Sequence, residues 1–398
     1  MNTPHSRGDI KRSAILAQLG ASGPASRADL ARSIGVSPAL VTQITRDLVL
    51  EGLIEELHEV PSNGGRPARL IGLVHDAGSA IGVKLAIDHV AFVELTLDGS
   101  VVRTHTAPFD ATRAGDIDGL IAELQAFTDK SQARRLLGIG VGVPGSVADR
   151  DSGLVDSAPF GWQQRPFGSV LSAALHLPVL VENTVSALAI AEQLYGAGTS
   201  RRDFLVVTIG VGVGAAIVSD GRLIRGDSGG AGELAHVRVT ENGPLCECGN
   251  RGCLETLISE KALLDAARTG GLDVTVIEDL HGLADDGDDV ALQIFHQAAT
   301  YLGLAVASAV QFLEPAALIM SGEGTAGWRF WALPFEQALR SAVMGRRRHV
   351  EIIVEHWNDD RWAQGAAALV LATPLINSDE GSIQGGLVRQ RLLDGARS

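Results

Sequence analysis

Three cysteines lie within eight residues of one another, ten residues after a histidine. In chain order these residues are His236, Cys246, Cys248 and Cys253. One imidazole and three thiolates form the complete tetrahedral donor set of a structural zinc site, whereas this close clustering does not suit a disulfide framework. A fully ligated zinc ion has no open position for water, so it should brace a loop and not catalyse. The sequence therefore predicts a structural zinc ion.

Polar residues that suit a sugar lie on either side of this cluster. Glu233 precedes His236 by three residues, Glu255 follows Cys253 by two, and Asn183 lies further upstream. Carboxylates and amides bind sugar hydroxyls through charge-assisted hydrogen bonds. We expect the zinc loop to position both carboxylates toward a small hydroxylated ligand. The alternative is that they are ordinary solvated surface acids.

A glycine-rich segment, residues 210–214, follows an apolar strand-like run. Glycines there would let backbone amides approach a phosphate or a sugar-bearing loop. An ordinary glycine-rich hairpin fits the same pattern, so both interpretations stay open.

The elements that must position these residues begin with a helical region at the N-terminus. Residues 13–19 carry a helical apolar stripe, and Ser26 with Asp29 forms a capping-box-like pair that opens a second helix. Gly35 suits the positive φ of a helix end, and Ser37 followed by Pro38 opens a third helix. Two short helices around a glycine turn predict a helix-turn-helix.

The third helix should turn Leu40, Ile44 and Leu48 inward, which leaves its polar residues for another partner. Two strand-like stretches around the glycine-rich tip at 62–67 then indicate a β-wing. The predicted DNA contacts of helix and wing are Ser37, Ala39, Thr42, Gln43, Thr45, Arg46, Arg66 and Arg69. A plain three-helix module for protein contacts is the alternative, and the two wing arginines favour DNA.

The charge distribution agrees with a DNA contact at the N-terminus only. The whole chain of 398 residues has a net charge of −14. Residues 1–75 carry 8 basic and 7 acidic side chains, whereas the remainder carries 25 and 40. The acidic body should therefore face away from phosphate. No signal peptide is evident and the best apolar run, 301–320, is interrupted by polar residues and a proline, so we expect a soluble, cytoplasmic protein with no membrane contact.

The body alternates strands rich in valine, isoleucine and glycine with helices rich in alanine and leucine, which predicts an α/β fold. Predicted strands are 81–85, 91–97, 137–143, 179–181 and 204–209; predicted helices are 117–127, 185–194, 261–268, 290–312 and 362–371. We divide the chain into a winged helix-turn-helix at 1–75, a first α/β lobe at 76–195 rejoined by the C-terminal helix at about 361–398, and a second lobe at 196–360.

Several motifs together resemble the ROK family of repressors, open reading frames and kinases. The stretch GIGVGVPGSVADRDSGLV at 138–155, TIGVGVGAAIV at 208–218, GELAHV at 232–237, CECGNRGCLE at 246–255 and LIMSGEG at 318–324 are similar to family elements. A helix-turn-helix with an NGGRP tip is similar to what the family's repressors carry. The resemblance implies a two-lobed, actin-like and hexokinase-like (ribonuclease H-like) body with a sugar between the lobes. It assigns the sugar to Gly145, Asn183, Glu233, His236 and Glu255, with His236 also on zinc.

Departures from the family's kinases argue against catalysis. The kinases place a catalytic aspartate where this chain has Thr184, and a threonine hydroxyl cannot serve as that base near neutral pH. The kinases also have phosphate-wrapping glycines where residues 84–88 carry bulky side chains. Ala235 replaces a further family glycine. We therefore predict no kinase activity.

These observations predict a sugar-responsive transcriptional repressor that binds double-stranded operator DNA. One recognition helix buries too little surface for tight and specific binding, so we expect a homodimer or a dimer of dimers. One alternative is an active sugar kinase with an accessory DNA-binding domain. Another is a regulator that responds to a partner protein instead of a sugar.

Overall fold

The computed structural model describes residues 7–60, 68–113, 115–355, 357–358, 360–375 and 382–394. The chain divides into two compact units. The first unit comprises Met1–Ser200, Asp227–Gly230 and Asp360–Ser398, and the second comprises Arg201–Gly226 and Ala231–Asp359. The C-terminal segment thus returns to the unit that contains the N-terminal region.

Helices and strands alternate along the described chain. The helices are α1 (Arg7–Ser22), α2 (Arg27–Ile34), α3 (Pro38–Leu50), α4 (Asp116–Asp129), α5 (Phe167–Leu175), α6 (Thr184–Tyr195), α7 (Glu255–Ile258), α8 (Glu260–Thr269), α9 (Ile277–Asp285), α10 (Asp289–Leu313), α11 (Trp328–Ala342), α12 (Asp360–Leu375) and α13 (Ile383–Asp394). The strands are β1 (Ala25–Ser26), β2 (Ile54–Val60), β3 (Ala68–Leu73), β4 (Ser79–Leu85), β5 (His89–Thr96), β6 (Val101–Pro108), β7 (Leu136–Val143), β8 (Ser146–Asp149), β9 (Leu154–Ser157), β10 (Trp162–Pro166), β11 (Val179–Asn183), β12 (Phe204–Ile209), β13 (Val213–Ser219), β14 (Arg222–Ile224), β15 (Ala317–Ser321) and β16 (Glu351–Val354).

The N-terminal region is a winged helix-turn-helix, as the sequence predicts. The Ser26 side chain accepts a hydrogen bond from the Asp29 amide at the start of α2, and Gly35 ends that helix with φ of 70°. The Ser37 side chain caps α3 by accepting from the Leu40 amide. Strands β2 and β3 pair antiparallel, and β1 pairs with the other edge of β3. The helices therefore rest on a small sheet whose hairpin is the wing.

Each unit contains one five-stranded sheet, and the two sheets have similar layouts. The strand orders are β11-β7-β4-β5-β6 in the first unit and β14-β13-β12-β15-β16 in the second. In both, a central strand has a parallel neighbour on one side and an antiparallel neighbour on the other. All five predicted strands and all five predicted helices are present, each with both ends within four residues of the predicted ones, which confirms the predicted α/β class.

Helix α12 packs against the first sheet at two strand glycines. A Cβ atom on Gly82 would lie 1.9 Å from the backbone oxygen of Ala363, and one on Gly140 would lie 1.8 Å from that of Ala366. Only glycine permits this approach of helix to sheet. The C-terminal segment was predicted as one helix but forms two, α12 and α13, and the Asp151 carboxylate accepts hydrogen bonds from the first amides of α13.

The core of the second unit is built around the long helix α10. Its length and its mean hydropathy of 1.3 would allow it to span a membrane, but half of that apolar stretch is buried within the fold. Buried α10 residues such as Phe295, Leu302 and Val306 pack in one cluster with Trp331 and Phe335 of α11. The apolar composition of α10 is thus explained by its place in a protein core.

Candidate functional site

The predicted zinc ligands converge on one point in the second unit. The donor atoms of His236, Cys246, Cys248 and Cys253 all lie within 4.8 Å of one another. Nδ1 of His236 is 3.5 Å from Sγ of Cys246, and Sγ of Cys248 is 3.6 Å from Sγ of Cys253. With metal bonds of about 2.0–2.3 Å, the edges of a zinc tetrahedron measure about 3.3–3.8 Å. These two separations match such edges, and the four donors are close enough together to hold one metal ion.

Tight turns bring the three thiols together. The Cys246 amide donates to the Asn250 backbone oxygen at 2.7 Å, and a Cβ on Gly252 would lie 2.0 Å from the Thr240 backbone oxygen. The Asn250 backbone amide lowers the pKa of the Cys248 thiol to about 7, whereas burial raises that of Cys253 to about 12. A buried thiol of this kind ionises readily only when a cation supplies the missing positive charge.

The predicted sugar residues of the second unit surround the cluster. Glu233 precedes the short 3-10 helix Leu234–His236, and its Oε2 is 3.8 Å from Nε2 of His236. The His236 ring therefore faces a cysteine with one nitrogen and a carboxylate with the other. Glu255 begins α7, and its Oε1 lies 3.4 Å from the Cβ position of Gly212 in the glycine-rich segment. Three of the five predicted sugar residues therefore lie at or next to the cysteine cluster.

The other two predicted sugar residues meet in the first unit. Asn183 ends β11, and its Nδ2 donates to the Gly145 backbone oxygen at 2.9 Å. Its Oδ1 accepts from the Val185 and Ser186 amides, so the side chain caps α6. Gly145 has φ of 133°, and a Cβ there would lie 2.2 Å from the Asp156 backbone oxygen. The pair is consequently rigid, and Thr184 follows it as the first residue of α6.

A carboxylate that the sequence did not single out faces the glycine-rich segment. The Cβ position of Gly210 lies 2.4 Å from Oε2 of Glu323, and the Gly210 backbone oxygen accepts from the Glu260 amide at 2.8 Å. Burial raises the pKa of Glu260, as do the nearby carboxylates of Glu278 and Glu323 to a smaller extent. The loop is therefore acidic, which disfavours a phosphate.

Helix α3 presents most of its predicted DNA contacts to solvent. The exposed residues are Ser37, Ala39, Thr42, Gln43 and Arg46. The buried face of α3 is formed by Val41, Ile44, Thr45 and Leu48. We expected Leu40 on this face, but Val41 is buried there instead. The exposed side of α3 is polar and continuous, as a recognition helix requires.

The prediction that Thr45 contacts DNA is wrong. Thr45 is fully buried, and its hydroxyl accepts a hydrogen bond from Nε of Arg27 at 3.0 Å. Arg27 also pairs with Glu56 of β2 at 2.6 Å, and Glu56 accepts from Arg69 of β3 at 2.8 Å. This chain of contacts ties the wing to α3. Arg69 is about half exposed, whereas Arg66 lies outside the described residues.

Two cavities lie in the first unit, away from the predicted sugar residues. One of about 410 Å³ is lined by Thr112, Arg113 and Arg165 among others. The other, of about 180 Å³, is bounded by Glu192 and Arg361 among others. Neither is lined by a predicted sugar residue, so the site assignment depends on the residues themselves.

Comparison with known proteins extends over almost the whole chain. Residues 80–373 match the ROK family and residues 9–55 match winged helix-turn-helix DNA-binding domains. A xylose repressor of Caldicellulosiruptor bescii is 28% identical over 375 residues, covering 88% of this chain and 92% of the relative. An N-acetylglucosamine repressor of Escherichia coli O6:H1 is 31% identical over 364 residues, covering 87% and 89%.

A solved structure shows the same architecture from end to end. It is described as a ROK family transcriptional regulator, a homologue of the E. coli MLC protein. The TM-score is 0.82 at 26% identity, and the match covers 97% of this chain and 99% of the other. This likeness confirms the predicted two-lobed, sugar-kinase-like body behind a winged helix-turn-helix.

Proposed function

The chain belongs to the ROK family, and we propose that it is a sugar-responsive transcriptional repressor acting in the cytoplasm. The observation that carries the proposal is the fusion of a winged helix-turn-helix at 9–55 with a ROK body at 80–373 in one chain. Both curated relatives described above are named as sugar repressors and span nearly its full length. A DNA-reading element and a ligand-binding body in one chain are the minimum for such a switch.

We assign the effector to the class of sugars and sugar phosphates. Glu233, Glu255 and Asn183 offer charged and amide groups that suit hydroxyls. His236 adds Nε2, which faces Glu233 and not the thiols. The two relatives are named for different sugars, a pentose and an amino sugar, and the donor set suits both. The class of ligand therefore follows from the residues, while the individual sugar must be found by screening.

We assign a structural Zn²⁺ to His236, Cys246, Cys248 and Cys253. All four ligands come from the protein, so the ion's task is to fix the loop that carries Glu233 and Glu255. The chain would bind a palindromic operator as a homodimer, or as a dimer of dimers, with the exposed face of α3 in the major groove and Arg69 and Arg66 supplied by the wing.

The rival proposal, an active sugar kinase with a DNA-binding appendage, meets three obstacles. Thr184 replaces the base that the family's kinases use. Residues 84–88, which begin at the end of β4, carry Cβ atoms where the family's kinases have glycines that approach phosphate through the backbone. Glu323 turns a carboxylate toward Gly210. Anionic and bulky side chains at these positions oppose binding of a polyphosphate.

The test combines a ligand screen with operator selection. Full-length, zinc-loaded protein is heated with xylose, glucose, N-acetylglucosamine, their phosphate esters and ATP, and a ligand at 100 times its Kd should add about 2.7 kcal/mol of stability. Wild-type protein is then used to select a duplex from a random-sequence pool. A sugar that raises the melting temperature and changes affinity for that duplex supports the proposal. Sugar-dependent ATP turnover would restore the kinase, and a response to neither sugar nor DNA would refute the repressor.

A further inference from the structure

A buried arginine of the body contacts the end of the recognition helix. Arg135 immediately precedes β7 and is 7% exposed. Its Nη2 donates to the Glu51 backbone oxygen at 3.2 Å, and its Nη1 donates to that of Ala77 at 3.3 Å. Glu51 is the C-cap residue of α3, and its amide donates to the Asp47 oxygen. The guanidinium thus joins the α/β body, the connecting segment and the recognition helix.

The position of this guanidinium is electrostatically favourable. Carbonyl groups at the end of a helix carry partial negative charge, and a cation there is stabilised. The Glu51 side chain turns the other way and pairs with Arg12 of α1. Glu51 is therefore held through its main chain by the body and through its side chain by α1.

The same contact is costly to maintain, which gives it the character of a switch. Burial lowers the pKa of Arg135, and the neighbouring Arg134 lowers it further. Its Nε has no hydrogen-bond partner among the described residues, and the acceptors of its Nη1 and Nη2 are neutral backbone carbonyls. The Glu51 carboxylate, which pairs with Arg12, raises this pKa in turn but does not offset the burial. Release of the guanidinium from Glu51 would therefore recover part of its lost hydration, which offsets part of the cost of breaking the contact.

One strand joins this contact to the predicted sugar residues of the same unit. Strand β7 lies between β11 and β4 and is buried along nearly its whole length. Arg135 precedes its first residue, whereas Gly145 follows its last residue by two and accepts the Asn183 hydrogen bond. Eight residues of strand span about 26 Å. A single buried strand therefore connects the Gly145 end directly to Arg135.

We propose that Arg135 is the positioning residue that couples sugar occupancy at the Gly145 end of β7 to the orientation of the recognition helix. This inference rests on the proposed repressor function. In one state the guanidinium holds Glu51 and α3 in a fixed orientation relative to the body. In the other state β7 withdraws it and α3 is released.

The experiment compares full-length Arg135→Ala and Arg135→Lys with wild type, using Arg134→Ala as the matched control. Arg134 is an exposed arginine whose Nη1 lies 3.2 Å from the Cβ position of Gly52. Operator affinity is measured by fluorescence anisotropy on the selected duplex, with and without the sugar of the panel that gives the largest thermal shift. We expect that sugar to change wild-type affinity by about tenfold or more, and to change that of Arg135→Ala by less than about twofold.

Arg135→Ala should still bind the sugar and show a sugar-induced thermal shift, so that the loss is one of coupling and not of folding. Arg135→Lys, which keeps the charge but cannot reach two carbonyls as a rigid fork, should restore part of the response. A wild-type response in Arg135→Ala, or an equal loss in Arg134→Ala, overturns the inference.

Amide hydrogen exchange separates this inference from the proposed function. Without any sugar, Arg135→Ala should speed exchange at least about tenfold at the Glu51, Gly52 and Leu53 amides, because local opening becomes easier. Unchanged exchange there overturns the docking contact even if the protein proves to be a sugar-responsive repressor. Faster exchange in a protein that ignores every sugar would leave the contact intact and refute the coupling together with the repressor function.

Discussion

Nδ1 of His236 lies 3.5 Å from Sγ of Cys246, while Nε2 of the same ring faces the Glu233 carboxylate at 3.8 Å. One imidazole therefore belongs to the thiol cluster and to the predicted sugar site at once. A metal on Nδ1 would fix the ring orientation and leave Nε2 as a hydrogen-bond donor. The structural ion and the effector are thus expected to be linked in their stability effects.

The first prediction concerns removal of the metal. Cys253→Ser should abolish the single bound zinc and cost about 4 kcal/mol or more of unfolding free energy, because a closed site loses a ligand. Zinc content is measured by mass spectrometry and stability by thermal unfolding. Chelation of the wild type should have the same effect, and both treatments should remove the sugar-induced thermal shift.

Asn250→Ala is the matched control for the zinc site. Asn250 donates from Nδ2 to the Cys248 sulfur at 3.5 Å without being a ligand. This variant should keep its zinc. Full zinc retention in Cys253→Ser would refute the four-ligand assignment.

The second prediction distinguishes the two faces of the recognition helix. Arg46→Ala should weaken operator binding by about 1–3 kcal/mol, since an exposed arginine of α3 is lost from the DNA face. Thr45→Val should destabilise the fold by about 1 kcal/mol through the lost Arg27 hydrogen bond but change operator affinity far less. Anisotropy on the selected duplex measures both variants, and a larger affinity loss in Thr45→Val than in Arg46→Ala would contradict the burial of Thr45.

The third prediction concerns pH. The hydrogen bonds of Arg69 and then Arg27 hold the pKa of Glu56 below its ordinary value of 4.5. A depressed folded-state pKa stabilises the wing above the unfolded-state value, and this stabilisation is lost as the pH falls through the folded-state pKa. Glu56→Gln should therefore reduce amide-exchange protection of β2 and β3 at pH 7, and the difference from wild type should shrink below pH 4.5.

Glu55→Gln serves as the control for this pH dependence, because it removes a carboxylate from the same strand without altering the contact of Glu56 with Arg27 and Arg69. Its protection should follow the wild-type pH profile. A pH-independent difference between Glu56→Gln and wild type would show that the ionised carboxylate contributes nothing.

The sequence predicted the local features of this fold and missed the features that depend on distant neighbours. The helix caps at Ser26 and Ser37 and the left-handed conformation of Gly35 depend only on residues adjacent in sequence, and these predictions were confirmed. Thr45 was misplaced because a spacing of four from Leu40 does not show which stripe of α3 packs inward. Thr45 lies on the inward side with Arg27, a residue eighteen positions earlier, as its hydrogen-bond donor, and spacing within α3 does not reveal such a neighbour.

In the candidate site, too, the residues that lie close together in sequence were predicted and those that meet only through the fold were missed. The convergence of His236, Cys246, Cys248 and Cys253 was predictable because the four residues lie within eighteen residues of sequence and form a specific donor set. Arg135 gave no signal, since its contact with Glu51 joins residues 84 positions apart. Glu323 was overlooked because its approach to Gly210 depends on the pairing of β12 with β15.

The fourth prediction tests the sugar residues of the zinc loop. Glu233→Gln and Glu255→Gln should each remove most of the sugar-induced thermal shift, because a charge-assisted bond to a sugar hydroxyl becomes a neutral one. Glu247→Gln, an exposed change in the same loop, should keep the shift. All three variants should retain zinc, and an intact sugar response in both Glu233→Gln and Glu255→Gln would exclude this loop from the sugar site.

The fifth prediction concerns the lost catalytic base. Thr184→Asp restores a carboxylate at the first position of α6, directly after the Asn183 cap. A general base contributes about 10²–10⁴-fold only when the phosphate is already positioned for transfer. The side chains at 84–88 and the carboxylate of Glu323 still oppose that positioning, so the variant should bind sugar yet show no ATP turnover above wild type in a coupled assay. Turnover in Thr184→Asp would mean that the nucleotide site is intact and that the base alone separates this chain from a kinase.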